Sequence, residues 1–180
     1  VQRDADVRRG ESSSVLLMTL TMFLILAAYY MLKTAREVFI LSEGGAEVKS
    51  YSSAGQALML LVLVPMYGAF ASRVNRTQLV QWVTLFFAAN LVLFLLALGA
   101  GMRIGIAFFL WLGIFNTMVI AQFWAYANDR YTLEAGKRLF ALVAFGASSG
   151  AVFGAFISGH LISVMGVYAS HTGTWTSAIK

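Results

Sequence analysis

The chain has no cysteine, a single proline and few charged residues. Without cysteine it can form neither a disulfide nor a thiolate metal site. Charged residues make up 12% of the 180 residues and hydrophobic residues 59%. Such a balance lies outside the usual range of soluble domains. The composition therefore predicts a membrane protein.

Five long stretches of the chain carry no charge at all. A hydrocarbon core about 30 Å thick is crossed by roughly 20 apolar residues of α-helix. Runs such as 57–64 are apolar on every face, which favours helices over the alternating strands of a barrel. We predict an all-α, polytopic membrane helix bundle over 15–168, after a lead-in at 1–14 and before a polar tail at 169–180. The five predicted transmembrane helices are 15–41, 50–72, 77–101, 104–128 and 139–165.

Basic residues are concentrated in alternate connections between these spans. Lysine and arginine are enriched on the cytoplasmic side of membrane proteins. Most of them fall inside if the N-terminus is cytoplasmic, and we expect that orientation, in a multi-pass protein of a bacterial inner membrane. The inside residues would be Arg3, Arg8, Arg9, Arg73, Arg76, Arg130, Lys137 and Arg138.

The first span continues into a polar face. Tyr29, Tyr30, Lys33, Arg36 and Glu37 recur at spacings of three and four, which places them on one side of a helix. One interpretation is a cluster that snorkels to the headgroups. The other, which we favour, is a substrate-binding face for an anionic solute, because ionisable groups inside a span tend to line a water-filled path.

Three amides in later spans are further candidates for substrate binding: Asn90, Asn116 and Gln122. For Asn90 the alternative is a hydrogen bond that holds two helices together. Pro65, inside the second span, predicts a bend that is either static or part of a gate.

Small residues recur every four positions in the fifth span. A stripe of this kind allows two helix backbones to approach closely. We predict that it packs against another helix. Its members are Gly146, Gly150, Gly154 and Ser158.

The turn at 68–76 resembles the cytoplasmic loop signature of the major facilitator superfamily, with Ser72 in place of the aspartate and Asn75 in place of the second glycine. The loop after the fourth span is also short and charged. It is either a positively charged anchor or half of a cytoplasmic gate. The gate residues would be Arg73, Arg76, Asp129, Lys137 and Arg138.

A wider similarity is carried by the segments 31–37, 45–47, 123–129 and 134–138. They resemble the nucleotide transporter, or ATP/ADP translocase, family within that superfamily. The resemblance implies exchange of nucleotides by alternating access, with the basic residues of the first helix near the phosphates. Arg36 and Glu37 replace the Lys-Asp pair of the family, and Leu112 lies near the position of its acidic residue in the fourth helix.

Half of a major facilitator fold has six helices, so five predicted spans indicate an incomplete N-terminal half. We expect the N-terminal part of a secondary transporter, an antiporter for an anionic solute such as a nucleotide. Its partners would be the lipid bilayer and the remaining transporter helices. The alternative is a non-transporting helical subunit that packs onto a larger membrane complex. No catalytic motif is present, and we expect no enzyme activity, cofactor, metal or nucleic-acid partner.

Overall fold

The computed structural model describes the backbone of residues 2–130 and 133–172, and side chains within 13–75, 78–129 and 140–164. Four helices make up almost all of it: α1 Gln2–Ala71, α2 Arg76–Gly99, α3 Gly105–Arg130 and α4 Leu133–Thr172. No strand occurs in the described backbone. The predicted all-helical class is confirmed.

Each of the four helices contains a segment that is long and apolar enough to cross a membrane. The sequence predicts five spans, whereas the structure has four helices of this kind. The difference lies in α1, which contains both of the first two predicted spans. No proline separates those two spans, so helical hydrogen bonding resumes directly after a break of one residue. At the other end of the chain, α4 extends to Thr172, into the predicted polar tail.

The break in α1 is at Gly45. Its dihedral angles are φ 67° and ψ −160°, while the rest of α1, including Pro65, stays helical. This combination belongs to a region that is essentially restricted to glycine, because a Cβ atom would clash with the backbone there. α1 therefore consists of two helical segments that meet at Gly45.

The chain divides into two compact units. The first unit contains residues Val1–Thr34 and Leu133–Lys180, which are the beginning of α1 and the whole of α4. In this unit Phe23 of α1 packs on Phe153 of α4, with ring centroids 5.5 Å apart. Val15, Met18, Met22 and Val143 are buried. The apolar contact between α1 and α4 forms the core of the first unit.

The second unit contains residues Ala35–Thr132, which comprise the rest of α1 with α2 and α3. Aromatic rings hold α2 against α3. Trp111 of α3 stacks on Phe115, and Phe87 of α2 meets both rings edge to face. Phe94 and Phe39 extend the cluster through edge-to-face contacts with Phe108. Each such pair contributes about 0.5–1.5 kcal/mol beyond the burial of its area, so this cluster is the core of the second unit.

A glycine also terminates α2. Gly101 has φ 74°, and its N–H donates to the carbonyl of Leu98 at 3.0 Å, while the N–H of Met102 donates to Ala97 at 3.0 Å. These two bonds form a Schellman motif, which satisfies carbonyls left unpaired at a helix end. The chain can therefore turn from α2 into α3 within the few residues before Gly105.

Candidate functional site

Arg36 is a charged side chain of the second unit that is largely buried. Its side chain is 12% exposed, and its Cζ atom lies 4.2 Å from the centroid of the Phe109 ring on α3. A guanidinium over an aromatic face is attracted by the ring quadrupole, more strongly where water is excluded. Phe109 therefore helps to hold the guanidinium in place.

The Arg36 guanidinium is only partly hydrogen-bonded. Its Nη2 donates to Oε1 of Glu37 at 3.0 Å. Its Nε is buried and has no hydrogen-bond partner among the described residues. A buried donor without a partner costs about 1–3 kcal/mol. The Nε–H of Arg36 can therefore donate a hydrogen bond to a further oxygen.

Glu37 connects Arg36 to a third charge. Its Oε2 lies 2.5 Å from Nζ of Lys49, which is on the other side of Gly45. The three side chains become more exposed in the order Arg36, Glu37, Lys49, at 12%, 29% and 40%. We call these three residues the charge cluster. It runs from the enclosed guanidinium toward the surface of the second unit.

A second carboxylate on α1 caps α3. Oε1 of Glu43 accepts a hydrogen bond of 2.8 Å from the N–H of Gly105, the first residue of α3. Carboxylates are favoured at helix N-termini because the first N–H groups there lack partners within the helix. Gly105 is also closely packed against α1. A Cβ atom on Gly105 would lie 2.7 Å from Oε2 of Glu43 and 2.9 Å from the carbonyl oxygen of Phe39. Glu43 therefore has a structural role beside the charge cluster.

Lys33, Tyr29 and Tyr30 belong to the first unit, whereas Arg36 and Glu37 belong to the second. The ammonium of Lys33 lies 5.2 Å from the centroid of the Tyr30 ring. The rings of Tyr29 and Tyr30 meet edge to face at 5.6 Å. All three residues are partly exposed. The geometry is that of a cation against an aromatic pair.

The three amides predicted for the site lie on α2 and α3. Nδ2 of Asn90 donates to the carbonyl oxygen of Phe86 at 2.8 Å, within its own helix. Asn116 is half-buried. Gln122 is 8% exposed, and its Nε2 lacks a partner in the described part of the chain. At 1.5 Å per residue, Gln122 is about 20 Å along α3 from Phe109, so it does not share the surroundings of Arg36.

The residues predicted for a cytoplasmic gate are described only in part. Arg73 and Asp129 are exposed. The side chains of Arg76, Lys137 and Arg138 lie outside the described residues. The gate therefore stays a prediction.

The glycine stripe of α4 faces α1 in the first unit. A Cβ atom on Gly146 would lie 2.7 Å from the carbonyl oxygen of Thr19, and one on Gly150 would lie 2.9 Å from Cα of Phe23. Gly154 is in equally close contact with the backbone of Ala27. Ser158, at the end of the stripe, is buried, and its hydroxyl donates to the carbonyl of Gly154 at 2.8 Å. Both helices therefore meet at intervals of four residues, backbone to backbone.

Several residues around Arg36 could not be identified as site residues from the sequence pattern alone. Phe109 is one of many apolar residues in its span, and Lys49 lies in a charged connection. The adjacent pair Gly44 and Gly45 is the signal for a turn in that connection. A turn there brings the residues after Gly45 back beside those before it, which could have identified Lys49 as the partner of Glu37.

Comparison of the chain with protein-family models, with curated proteins and with solved structures finds no match. The class of protein therefore follows from the fold alone. It is a helical membrane protein, since four helices have the length and apolar composition of membrane spans.

Proposed function

We propose that this chain is the N-terminal part of a secondary transporter that moves an anionic solute by alternating access. The main support for the proposal is the environment of the Arg36 side chain. Its guanidinium is enclosed, lies over the ring of Phe109, and keeps a buried Nε–H without a partner among the described residues. Enclosed charges in membrane helices are costly and usually mark the path of a substrate or an ion.

The chemistry of the charge cluster favours an anion. Two cations, Arg36 and Lys49, share the single carboxylate of Glu37. Of the other two carboxylates in this part of α1, Glu43 is bound to the N–H of Gly105 and Glu47 is exposed. The charge cluster therefore has one positive charge in excess, which an oxyanion would neutralise. The resemblance to nucleotide transporters makes a nucleotide phosphate the first candidate.

The proposed membrane arrangement has five crossings, with the N-terminus in the cytoplasm. The ion pair between Glu37 and Lys49 supports it, because within the second unit it requires α1 to turn sharply at Gly45. A bacterial inner membrane and a major facilitator-like fold belong to the same proposal. Further helices would complete the solute path, since carriers of this type place their site between two halves.

The alternative function is a non-transporting subunit that docks on a larger membrane complex through its glycine stripe. The stripe is already covered by α1 in the same chain, at Thr19, Phe23 and Ala27. This contact weighs against the alternative, because a partner helix would first have to displace α1.

Anion binding tests the proposed function. The chain would be placed in nanodiscs of neutral phosphatidylcholine, so that anionic lipid does not compete, and titrated calorimetrically with ATP, inorganic phosphate and citrate. We expect at least one of them to bind. Arg36→Gln should weaken that binding by about tenfold or more, the usual scale for a lost charge-assisted hydrogen bond. Arg103→Gln is the matched control, since it removes the same charge from an exposed residue outside the charge cluster.

Equal losses in Arg36→Gln and Arg103→Gln would mean general attraction of anions and would contradict the proposal. Lys33→Gln belongs in the same experiment. Weaker binding at unchanged protein level would place Lys33 at the solute site, whereas unchanged binding with a lower level of inserted protein would indicate snorkelling. The coding sequence downstream is an independent test, because a complete carrier needs about seven more spans.

A further inference from the structure

Glu37 contacts only one of the two nitrogens with which Arg36 can bind an oxyanion. In a guanidinium, Nε–H and one N–H of Nη2 point in the same direction and together fit the two oxygens of a carboxylate or phosphate. Glu37 contacts Nη2 at 3.0 Å, while Nε is left without a partner within the described residues. Of the two nitrogens on this edge, Nη2 therefore has a carboxylate partner and Nε has none among the described residues.

The position of Glu37 in the helix explains why it contacts only one of these two nitrogens. Adjacent residues of an α-helix do not face each other, because each is rotated about 100° from the last. The carboxylate of Glu37 therefore reaches Arg36 from the side. Its other oxygen, Oε2, is directed to Lys49 at 2.5 Å. The single hydrogen bond that Glu37 accepts from Arg36 is a weaker interaction than the two parallel hydrogen bonds that an oxyanion on both nitrogens would accept.

We propose that Glu37 is an internal competitor that occupies Arg36 until a solute oxyanion replaces it. The inference rests on the proposed function and adds a step to it. A phosphate or carboxylate group of the solute takes the Nε–Nη2 edge, and the carboxylate of Glu37 leaves Nη2 and remains paired with Lys49. The contact with the Phe109 ring holds the guanidinium in place throughout.

The contact between Glu37 and Nη2 sets the order of these events. Because Oε1 of Glu37 already lies 3.0 Å from Nη2, an anion can bind both nitrogens only as the side chain of Glu37 moves away. Lys49 makes that movement less costly, since the displaced carboxylate keeps one of its two cationic partners. Lys49 is therefore a positioning residue for Glu37, and it need not touch the solute.

The experiment compares anion affinities of Glu37→Gln and Glu47→Gln with that of the parent chain, using the nanodiscs and the three probes described above. Glu47 is exposed and lies on the same helix, so its substitution makes the same change in net charge. We expect Glu37→Gln to bind the anion about tenfold more tightly than the parent, because a charged competitor is removed. We expect Glu47→Gln to remain within about twofold of it, because water and salt screen the charge of an exposed side chain.

A double-mutant cycle with Lys49→Gln gives a second measurement. The single variant Lys49→Gln should weaken anion binding, because Glu37 then has Arg36 as its sole cationic partner in the charge cluster. In the Glu37→Gln background the effect should be much smaller, because no competing carboxylate is then present to be held away from Arg36. If Lys49→Gln weakens binding equally in both backgrounds, Lys49 attracts the anion directly and the competitor mechanism is wrong.

The remaining outcomes separate the two proposals. Weaker binding by Glu37→Gln, with binding still lost in Arg36→Gln, would overturn the competitor and leave the proposed function intact. An equal gain in Glu37→Gln and Glu47→Gln would also overturn it, as a general charge effect. If neither the parent nor Glu37→Gln binds any probe, the proposed function itself fails. Binding by Glu37→Gln but not by the parent would support both. Thermal unfolding of each variant shows that the proteins compared are folded.

Discussion

Glu37 and Lys49 form an ion pair across the break in α1, with Oε2 2.5 Å from Nζ. In a continuous helix their Cα atoms would be about 18 Å apart, at 1.5 Å per residue. The pair therefore requires the chain to reverse direction at Gly45. Since Lys49 is 40% exposed, the pair contributes about 0.2–1 kcal/mol. A residue other than glycine in such a backbone conformation costs about 1–3 kcal/mol, so the glycine determines the turn more than the ion pair does.

The first prediction is that Gly45→Ala lowers the free energy of unfolding by about 1–3 kcal/mol, because alanine is strained at φ 67°. Gly55→Ala is the matched control. Gly55 lies in a helical part of α1, and a Cβ atom there meets nothing within 4 Å, so alanine should be neutral or stabilising by up to about 1 kcal/mol. Unfolding in mixed micelles measures both. Similar stabilities of the two variants would mean that α1 tolerates a continuous helix at Gly45.

The second prediction concerns the two segments of α1 in the membrane. Single cysteines would be introduced at Ser13, Glu47 and Asn75, which is a clean background because the chain has no cysteine. If each segment crosses once, an impermeant maleimide should label positions 13 and 75 from the same side and position 47 from the opposite side. Labelling of positions 47 and 75 from one side would show that the segment after Gly45 does not cross. Reaction at position 75 from the outside alone would reverse the proposed orientation.

Much of the helical structure could be predicted from the distribution of charge, because an uncharged run of about 20 residues has few alternatives to a helix in lipid. The predicted spans 77–101 and 104–128 lie within about two residues of α2 and α3. The extent of α4 was less predictable, since it begins at Leu133 and reaches Thr172, beyond the apolar run at both ends. Charged and polar residues extend a helix outside the hydrocarbon core without any change in periodicity.

The candidate site was predictable in its residue types but not in its contacts. Helical spacing places Arg36 on a polar face, yet it does not show that Phe109, from a distant part of the chain, covers the guanidinium. The glycine pattern likewise predicts close packing but names no partner. The partner, Thr19 to Ala27, has few features of its own, because a backbone in contact with glycines needs no special side chains.

The third prediction tests the contact between α4 and α1. Gly150→Ala should lower the free energy of unfolding by about 1–3 kcal/mol, because its Cβ atom would overlap the backbone of Phe23, which cannot move aside as a flexible side chain can. Gly159→Ala is the control on the same helix, since a Cβ atom there meets nothing within 4 Å. That change should be neutral or stabilising by up to about 1 kcal/mol. Equal melting temperatures of the two variants in detergent would contradict the close packing of the stripe.

The last prediction concerns the cap that α1 provides for α3. Glu43→Ala should lower the free energy of unfolding by about 1 kcal/mol, because the N–H of Gly105 loses its acceptor. Glu47→Ala removes an exposed carboxylate from the same helix and should change stability by less than about 0.5 kcal/mol.

A third variant, Glu43→Gln, separates the hydrogen bond from the charge. It keeps an oxygen acceptor but loses the charge that favours a helix N-terminus. A stability of Glu43→Gln midway between the parent and Glu43→Ala would assign part of the effect to the hydrogen bond and part to the charge. If Glu43→Ala is as stable as Glu47→Ala, water replaces the cap and Glu43 does not fix the start of α3.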